Sequence, residues 1–324
     1  MEDYLEALDI AREMDIVENT IRQSIKSESP LLTEIAMHVV EAGGKRIRPA
    51  ICVLAFRAVG GKEGKLLDAV DAAVAVELIH SATLIHDDIT DEGETRRGRV
   101  TAYRKYGVHN AIVTGDFLFV QGFKYGRFLD LESIRIAAEA YERLAEGEML
   151  QEAWKKKIDI PEDEYIKIIS GKTASVFSAS AQLGAFHGGG TPEQIEGLGE
   201  YGTSVGIAFQ IVDDVLDIIS DERVLGKSTG NDLKEGNMTL PLIYAMNDGV
   251  DKELLAKLVT SDVKTPQMIN EALHIIRKSN AIQRSMTIAE GFVGRAKEAL
   301  SCLPPSAYKQ RLKNVADAIL KRTM

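Results

Sequence analysis

The pattern Asp87-Asp88-x-x-Asp91 constrains this chain more than any other feature, because it recurs 126 positions later as Asp213-Asp214-x-x-Asp217. Each copy closes an apolar run with helical spacing, AVELIHSATLIH before the first and FQIV before the second. Residues four apart on an α-helix lie about 40° apart around the axis, so Asp87 and Asp91 share a face. If the helix ends near Gly93, the acids sit in its last turn, where the macrodipole disfavours each anion by about 0.3–1 kcal/mol. A local rule broken twice marks a functional site rather than a solvated helix end. Carboxylate oxygens are hard ligands suited to Mg²⁺, which shares its coordination with substrate phosphates. Neither His nor Cys occurs at zinc-ligand spacing.

Cations follow both motifs: Arg96 and Arg97 after the first, Lys227 after the second. Three more, Lys45, Arg46 and Arg48, crowd the loop GGKRIRP, and Lys172 lies in SGKTAS. Cations beside metal-binding carboxylates imply a ligand more anionic than the metals alone can satisfy, and a diphosphate is such a ligand. A glycine before Lys45 and before Lys172 lets backbone N–H groups approach phosphate. SGKTAS is not a nucleotide P-loop, since Ile166 occupies the place of the required upstream glycine, five residues before Gly171. His80 precedes Asp87 by seven residues, about 20° around the helix, which puts it on the acidic face.

The rest of the chain predicts one all-α domain, a bundle of ten or more long helices with no linker, short-period repeat or low-complexity tract. Helices are expected at about 3–27, 31–43, 49–60, 66–91, 110–126, 131–157, 162–184 and 192–220, then from Pro241, with three or four more to the C-terminus. The glycines at 115, 122 and 126 suit close helix contacts. A net charge of −10 argues against a nucleic-acid partner. Cys52 and Cys302 read as reduced thiols of a cytoplasmic protein. The acidic, amphipathic start is no signal peptide, and no apolar run reaches the roughly 18 residues of a membrane span, the best being broken by Asp71, Glu77 and His80.

Five segments, GGKRIRP, ELIHSATLIHDDITDEGETRRG, GKT, FQIVDDVLD and GKSTGNDLKEGNMTLPLI, together resemble the trans-isoprenyl diphosphate synthases, in order and over about 43 to 245. The resemblance implies a helical bundle, a homodimer with one active site per subunit, and three Mg²⁺ ions in each. Asp87 and Asp91 would bind two ions bridging an allylic diphosphate, with Asp88 orienting; Asp213 would bind the third, assisted by Asp214 and Asp217. Arg96, Lys172, Thr173, Gln210 and Lys227 would contact the allylic diphosphate. Lys45, Arg48, His80 and Arg97 would hold isopentenyl diphosphate, leaving Arg46 structural. Asp87, Asp88, Asp91, Lys172, Asp213 and Lys227 form the expected catalytic set. Phe117 and Phe209 are candidates for the pocket wall, though both also read as plain core residues.

The resemblance also bears on product length. Synthases stopping at farnesyl or geranylgeranyl diphosphate carry a bulky aromatic five residues before the first aspartate. Here Ala82 stands there, followed by Thr83, and GEMLQ at 147–151 points the same way. The expected product is therefore longer than geranylgeranyl diphosphate, from geranylfarnesyl to octaprenyl. The alternative is a short-chain farnesyl or geranylgeranyl synthase with its floor on another helix. A class I terpene cyclase is disfavoured by Asp213–Asp217 and by GGKRIRP, and a non-catalytic partner subunit by the completeness of both motifs. One departure from the family pattern is Asn237, where a lysine is usual, with Lys234 nearby.

Overall fold

A computed structural model describes residues 9–126, 130–219, 229–249, 251–261 and 263–323. Helices in chain order are α1 Ala11–Ser24, α2 Pro30–Val40, α3 Ile47–Ala58, α4 Leu66–Thr90, α5 Ala102–Tyr106, α6 Val108–Gly126, α7 Leu131–Trp154 and α8 Glu162–Ile169. They continue as α9 Ser175–His187, α10 Pro192–Ile219, α11 Asn231–Glu235, α12 Leu240–Asn247, α13 Lys252–Thr260, α14 Pro266–Lys278, α15 Ala281–Ala299 and α16 Ala307–Leu320. The all-α expectation holds. Three local features depart from it: α2 stops at Val40 rather than at Gly43, a π-helical turn at Ser170–Ala174 interrupts the expected 162–184 helix, and Thr95–Arg96 pairs with Arg99–Val100 as a two-stranded ribbon.

The chain forms two compact units. The first comprises Met1–Ala138, Ala179–Gly199 and Cys302–Leu312. Its centre is α4, a 25-residue helix buried on nearly every side, from Leu66 and Val70 through Leu78 and Ala82 to Ile85. Within Glu63–Thr90 lies a window apolar enough to cross a membrane, but 72% of that window is buried inside the protein, as a core helix would be. Helix α6 packs against α4 at two of the expected glycines. A methyl group at Gly115 would lie 2.2 Å from His86 Nε2, and one at Gly122 would lie 3.0 Å from the Ala75 carbonyl oxygen.

Arg46 locks the entry to α3. Its guanidinium is buried, 2.6 Å from Glu18 and 2.6 Å from Glu77, and it also donates to the Val40 carbonyl at 2.9 Å. That set of bonds holds the Arg46 backbone at φ +47°, a left-handed conformation uncommon outside glycine, and starts α3 at Ile47, two residues before Pro49.

The second unit comprises Glu139–Ser178, Glu200–Ser301 and Lys313–Met324. Its core contains Tyr201 and Phe177, both fully buried. Here α10 approaches the start of α9 with almost no side chain between them. A methyl at Gly202 would lie 2.5 Å from the Phe177 carbonyl oxygen, and one at Gly206 would lie 2.5 Å from Ala174 Cα.

Removing Arg46 leaves Glu77 charged and buried without its partner. Arg46→Ala is expected to destabilise the protein by about 3–5 kcal/mol in urea denaturation, far more than a surface arginine truncation.

Candidate active site

In the first unit, α4 ends at Thr90 and the Asp91 N–H closes the last turn on the Asp87 carbonyl at 2.9 Å. The three acids then divide. Asp87 and Asp91 retain accessible surface, whereas Asp88 is buried and accepts from Arg96 Nε at 2.6 Å. Burial raises the Asp88 carboxyl and the Arg96 guanidinium pulls it back down. Arg96 reaches Asp88 because the chain reverses at once through a two-residue turn, Arg97 at φ +53° and Gly98 at φ +76°, which pairs Arg96 with Arg99. The first motif is therefore not without a cation beside it.

The same turn carries Arg97 toward the GGKRIRP loop, where its guanidinium lies over Gly44. Arg48 Nη1 lies 3.0 Å from His80 Nε2. An arginine has no acceptor, so His80 Nε2 accepts and the neutral ring carries its proton on Nδ1. Burial first, then Arg48, Arg97, Arg96 and Arg46, holds the His80 pKa well below the ordinary histidine value. The expected diphosphate-binding residues Arg48, His80 and Arg97 are thus brought together, and Lys45 is exposed on the same loop. Arg46 faces Glu18 and Glu77 and is structural, as expected.

In the second unit one helix stripe organises the site. Gly202, Gly206, Gln210 and Asp214 follow one another at steps of four along α10. They meet, in turn, Phe177, Ala174, Thr173 and Tyr165. Thr173 Oγ1 donates to Gln210 Oε1 at 2.8 Å, Gln210 Nε2 donates to Asp214 Oδ1 at 2.8 Å, and Tyr165 OH donates to Asp214 Oδ2 at 2.6 Å. Burial is the largest influence on Asp214 and pushes its carboxyl up to about 7. Asp217 accepts from the backbone N–H groups of Asn231 and Asp232, both at 3.2 Å. Asp213 is the outward member of the motif and meets Arg322 Nη2 at 3.0 Å. The Arg322 guanidinium also lies 4.5 Å from the Phe209 ring centroid.

Lys172 sits in the π-helical turn, a local geometry that recurs at functional sites. Two glycines press that turn against α7: a methyl at Gly147 would lie 2.4 Å from the Lys172 amide nitrogen, and one at Gly171 would lie 2.7 Å from the Arg143 carbonyl oxygen. Lys172 Nζ donates to Glu148 Oε2 at 2.9 Å and to Gln151 Oε1 at 2.8 Å.

Tyr165, Arg322 and the Glu148–Gln151 pair were not assigned to the site from sequence. Tyr165 reads as a core aromatic, and Arg322 lies far from every motif. Lys227 lies outside the described residues. Asn237 is buried and donates to Glu235 Oε2 at 2.8 Å, while Lys234 Nζ donates to Asn231 Oδ1 at 3.2 Å. Ala82 is fully buried, and Thr83 keeps accessible surface with its hydroxyl on the His80 carbonyl at 2.8 Å. Phe117 and Phe209 are both half-buried.

Each unit offers donors of the kind a hard divalent ion takes: Asp87 and Asp91 keep accessible surface in the first, and Asp213 does so in the second. Among the described residues no three acidic, His or Cys side chains are grouped to hold an ion by themselves. An ion there needs further oxygens, as Mg²⁺ does when it shares its shell with water and phosphate.

Residues 29–276 match the family described as polyprenyl synthetase. The short chain isoprenyl diphosphate synthase of Methanothermobacter thermautotrophicus is 36% identical over 98% of this chain and 99% of its own length. The octaprenyl diphosphate synthase of Escherichia coli is also 36% identical, over 96% of each chain. The structure of a polyprenyl synthase from Caulobacter crescentus complexed with calcium and isoprenyl diphosphate superposes with a TM-score of 0.94, at 32% identity over 98% of both chains.

The state of His80 sets a pH dependence. Unfolded histidine titrates near pH 6.5, whereas His80 stays neutral in the folded protein, so below that pH only the unfolded chain takes up the proton and stability falls. Wild-type stability in urea should therefore drop more steeply from about pH 7 to about pH 5 than that of His80→Gln, with the gap closing at about pH 8.

Proposed function

The chain belongs to the polyprenyl synthetase family and is an all-trans prenyl diphosphate synthase; from that premise we propose which of its residues carry the reaction. One observation supports the assignment most. In each aspartate motif one acid turns inward onto a donor that it holds in place, Asp88 onto Arg96 and Asp214 onto Gln210, while Asp87, Asp91 and Asp213 keep accessible carboxylates. The inward acids orient substrate contacts, and the outward acids bind metal. Synthases of this family depend on a divalent metal. Under this reading Asp87 and Asp91 would hold two Mg²⁺ ions and Asp213 a third, with Asp214 and Asp217 assisting. When bound, Mg²⁺ neutralises charge on the departing diphosphate.

Arg96, Lys172, Thr173, Gln210 and Lys227 bind the allylic diphosphate and stabilise the negative charge that develops as the allylic C–O bond breaks. Lys45, Arg48, His80 and Arg97 hold isopentenyl diphosphate so that its double bond lies within reach of the allylic cation. His80, protonated on Nδ1, adds a neutral donor to that set. Attack forms the new C–C bond, and the departing diphosphate takes the proton released as the new double bond forms. No serine, cysteine or histidine nucleophile is needed. Apolar helix faces keep water from the cation.

The enzyme acts as a cytoplasmic homodimer in a single prenyltransferase domain. An apolar stripe on α6 supports the dimer: Val120 and Phe123 are each 55% exposed, and Ile112 and Val113 lie on the same exposed side. Exposed apolar patches of this kind are covered by a partner in soluble proteins.

The product is longer than geranylgeranyl diphosphate, from geranylfarnesyl to octaprenyl. Small residues at Ala82 and Thr83 support that reading.

Incubation of the purified protein with farnesyl diphosphate, labelled isopentenyl diphosphate and Mg²⁺ should release diphosphate and give dephosphorylated products longer than geranylgeraniol. EDTA should abolish turnover and Mg²⁺ restore it, and Ala82→Phe should shorten the product. Products no longer than geranylgeraniol would overturn the length assignment, and metal-independent turnover would overturn the role of the outward acids.

A further inference from the structure

The chain of hydrogen bonds through Asp214 ends on a residue with no part in the reaction as written. Tyr165 lies on α8, seven residues before Lys172, and is 3% exposed. Its hydroxyl donates to Asp214 Oδ2 at 2.6 Å, the phenol being the partner that brings the hydrogen to a carboxylate.

While Asp214 is ionised, each following group has one role left. Asp214 accepts from the phenol on Oδ2 and from the Gln210 amide on Oδ1. The Gln210 nitrogen therefore faces Asp214 and its oxygen faces Thr173, whose hydroxyl donates to it. A glutamine amide is nearly symmetric in shape and flips at little steric penalty, so only its partners decide which end is the donor. The nitrogen carries a second hydrogen, which this arrangement leaves for a phosphate oxygen.

We propose that Tyr165 is a positioning residue for the allylic diphosphate, acting through Asp214 to fix the rotamer and amide orientation of Gln210 and, through it, Thr173. The neighbouring geometry supports such a role. Gly202 and Gly206 draw α10 onto the backbone that carries Thr173, which leaves Gln210 and Asp214 as the next two residues of the same stripe. Tyr165 lies on the helix that runs into the π-helical turn, and Thr173 lies within that turn. The stripe thus closes on Tyr165 at one end and on the lysine-bearing turn at the other.

The proposal rests on the assignment of Gln210 and Thr173 to the allylic diphosphate, and a double-mutant cycle separates the two. Tyr165→Phe keeps the ring and removes only the donor, and circular dichroism with thermal melting checks that it folds. KM is measured for the allylic diphosphate and for isopentenyl diphosphate in wild type, Tyr165→Phe, Gln210→Ala and the double variant. Tyr165→Phe should raise the allylic KM by about tenfold, in line with the loss of one charge-assisted hydrogen bond's orienting effect. It should leave the isopentenyl diphosphate KM within about twofold, and in the Gln210→Ala background it should change the allylic KM by less than about twofold. An equal effect on both substrates, or the same factor in both backgrounds, would reduce Tyr165 to a structural core residue and overturn the proposal while leaving Gln210 in place. If Gln210→Ala itself leaves the allylic KM unchanged, the assignment of Gln210 fails and the role of Tyr165 falls with it.

Discussion

A carboxylate buried in protein must be met by donors, and the two inward aspartates show how much of each site follows from that requirement. Asp88 and Asp214 are 7% and 5% exposed. Left unmatched, either would be protonated or would unfold its helix end, because desolvation of a lone charge outweighs any single favourable contact. Asp88 is met by a guanidinium, and a left-handed turn is needed at once to bring Arg96 back to it. Asp214 is met by neutral donors, a phenol and an amide, so its residual charge is less fully offset and its carboxyl is pushed up to about 7. The same three-acid pattern is therefore built in two electrostatic styles. One unit fixes a cation; the other fixes an amide and a hydroxyl.

Backbone proximity is the second requirement, and glycine supplies it. A substrate-binding lysine in an ordinary helix would sit one side-chain layer away from its neighbour. At Lys172 the layer is missing, because Gly147 and Gly171 let α7 and the π-helical turn touch through their backbones. Lys172 then reaches Glu148 and Gln151 on α7 without crossing an intervening side chain. Gly202 and Gly206 do the same between α10 and the residues that follow Thr173. Close packing transmits small displacements, so a methyl at any of these glycines would move Lys172 and Thr173 as well as the helices.

The helices and both motifs were legible in the sequence because the signals are local: apolar spacing, few prolines, and acids at helix ends where the dipole opposes them. The division of labour among the acids was not. Asp88 and Asp214 look no different from Asp87 and Asp213 in a linear string, and burial separates them only once partners eight and forty-nine positions away are in place. The π-helical turn was missed for a related reason. SGKTAS has ordinary helix formers on both sides, and the extra residue is demanded by the α7 contact rather than by its own composition. Arg322 carries no motif at all, and its place on Asp213 and Phe209 is a property of the fold.

Product length is where identity stops being informative, and the reason is physical. Two relatives at the same 36% identity carry different length classes in their names, one short chain and one octaprenyl. Ionisation and condensation depend on charged groups whose positions hundreds of substitutions must respect. Length depends on where an apolar wall blocks a growing chain, which one or two side chains can decide. Ala82 offers no accessible surface of its own, since its methyl is wholly enclosed, whereas Thr83 beside it is accessible. A larger residue at 82 must therefore displace its neighbours before it can block anything, and overpacking of that kind costs about 1–3 kcal/mol. A residue at 83 meets no such resistance. If this stretch of α4 limits the product, Thr83 is the position at which volume can be added with least disturbance to the fold, and the effect of a change at Ala82 would pass through the side chains it moves.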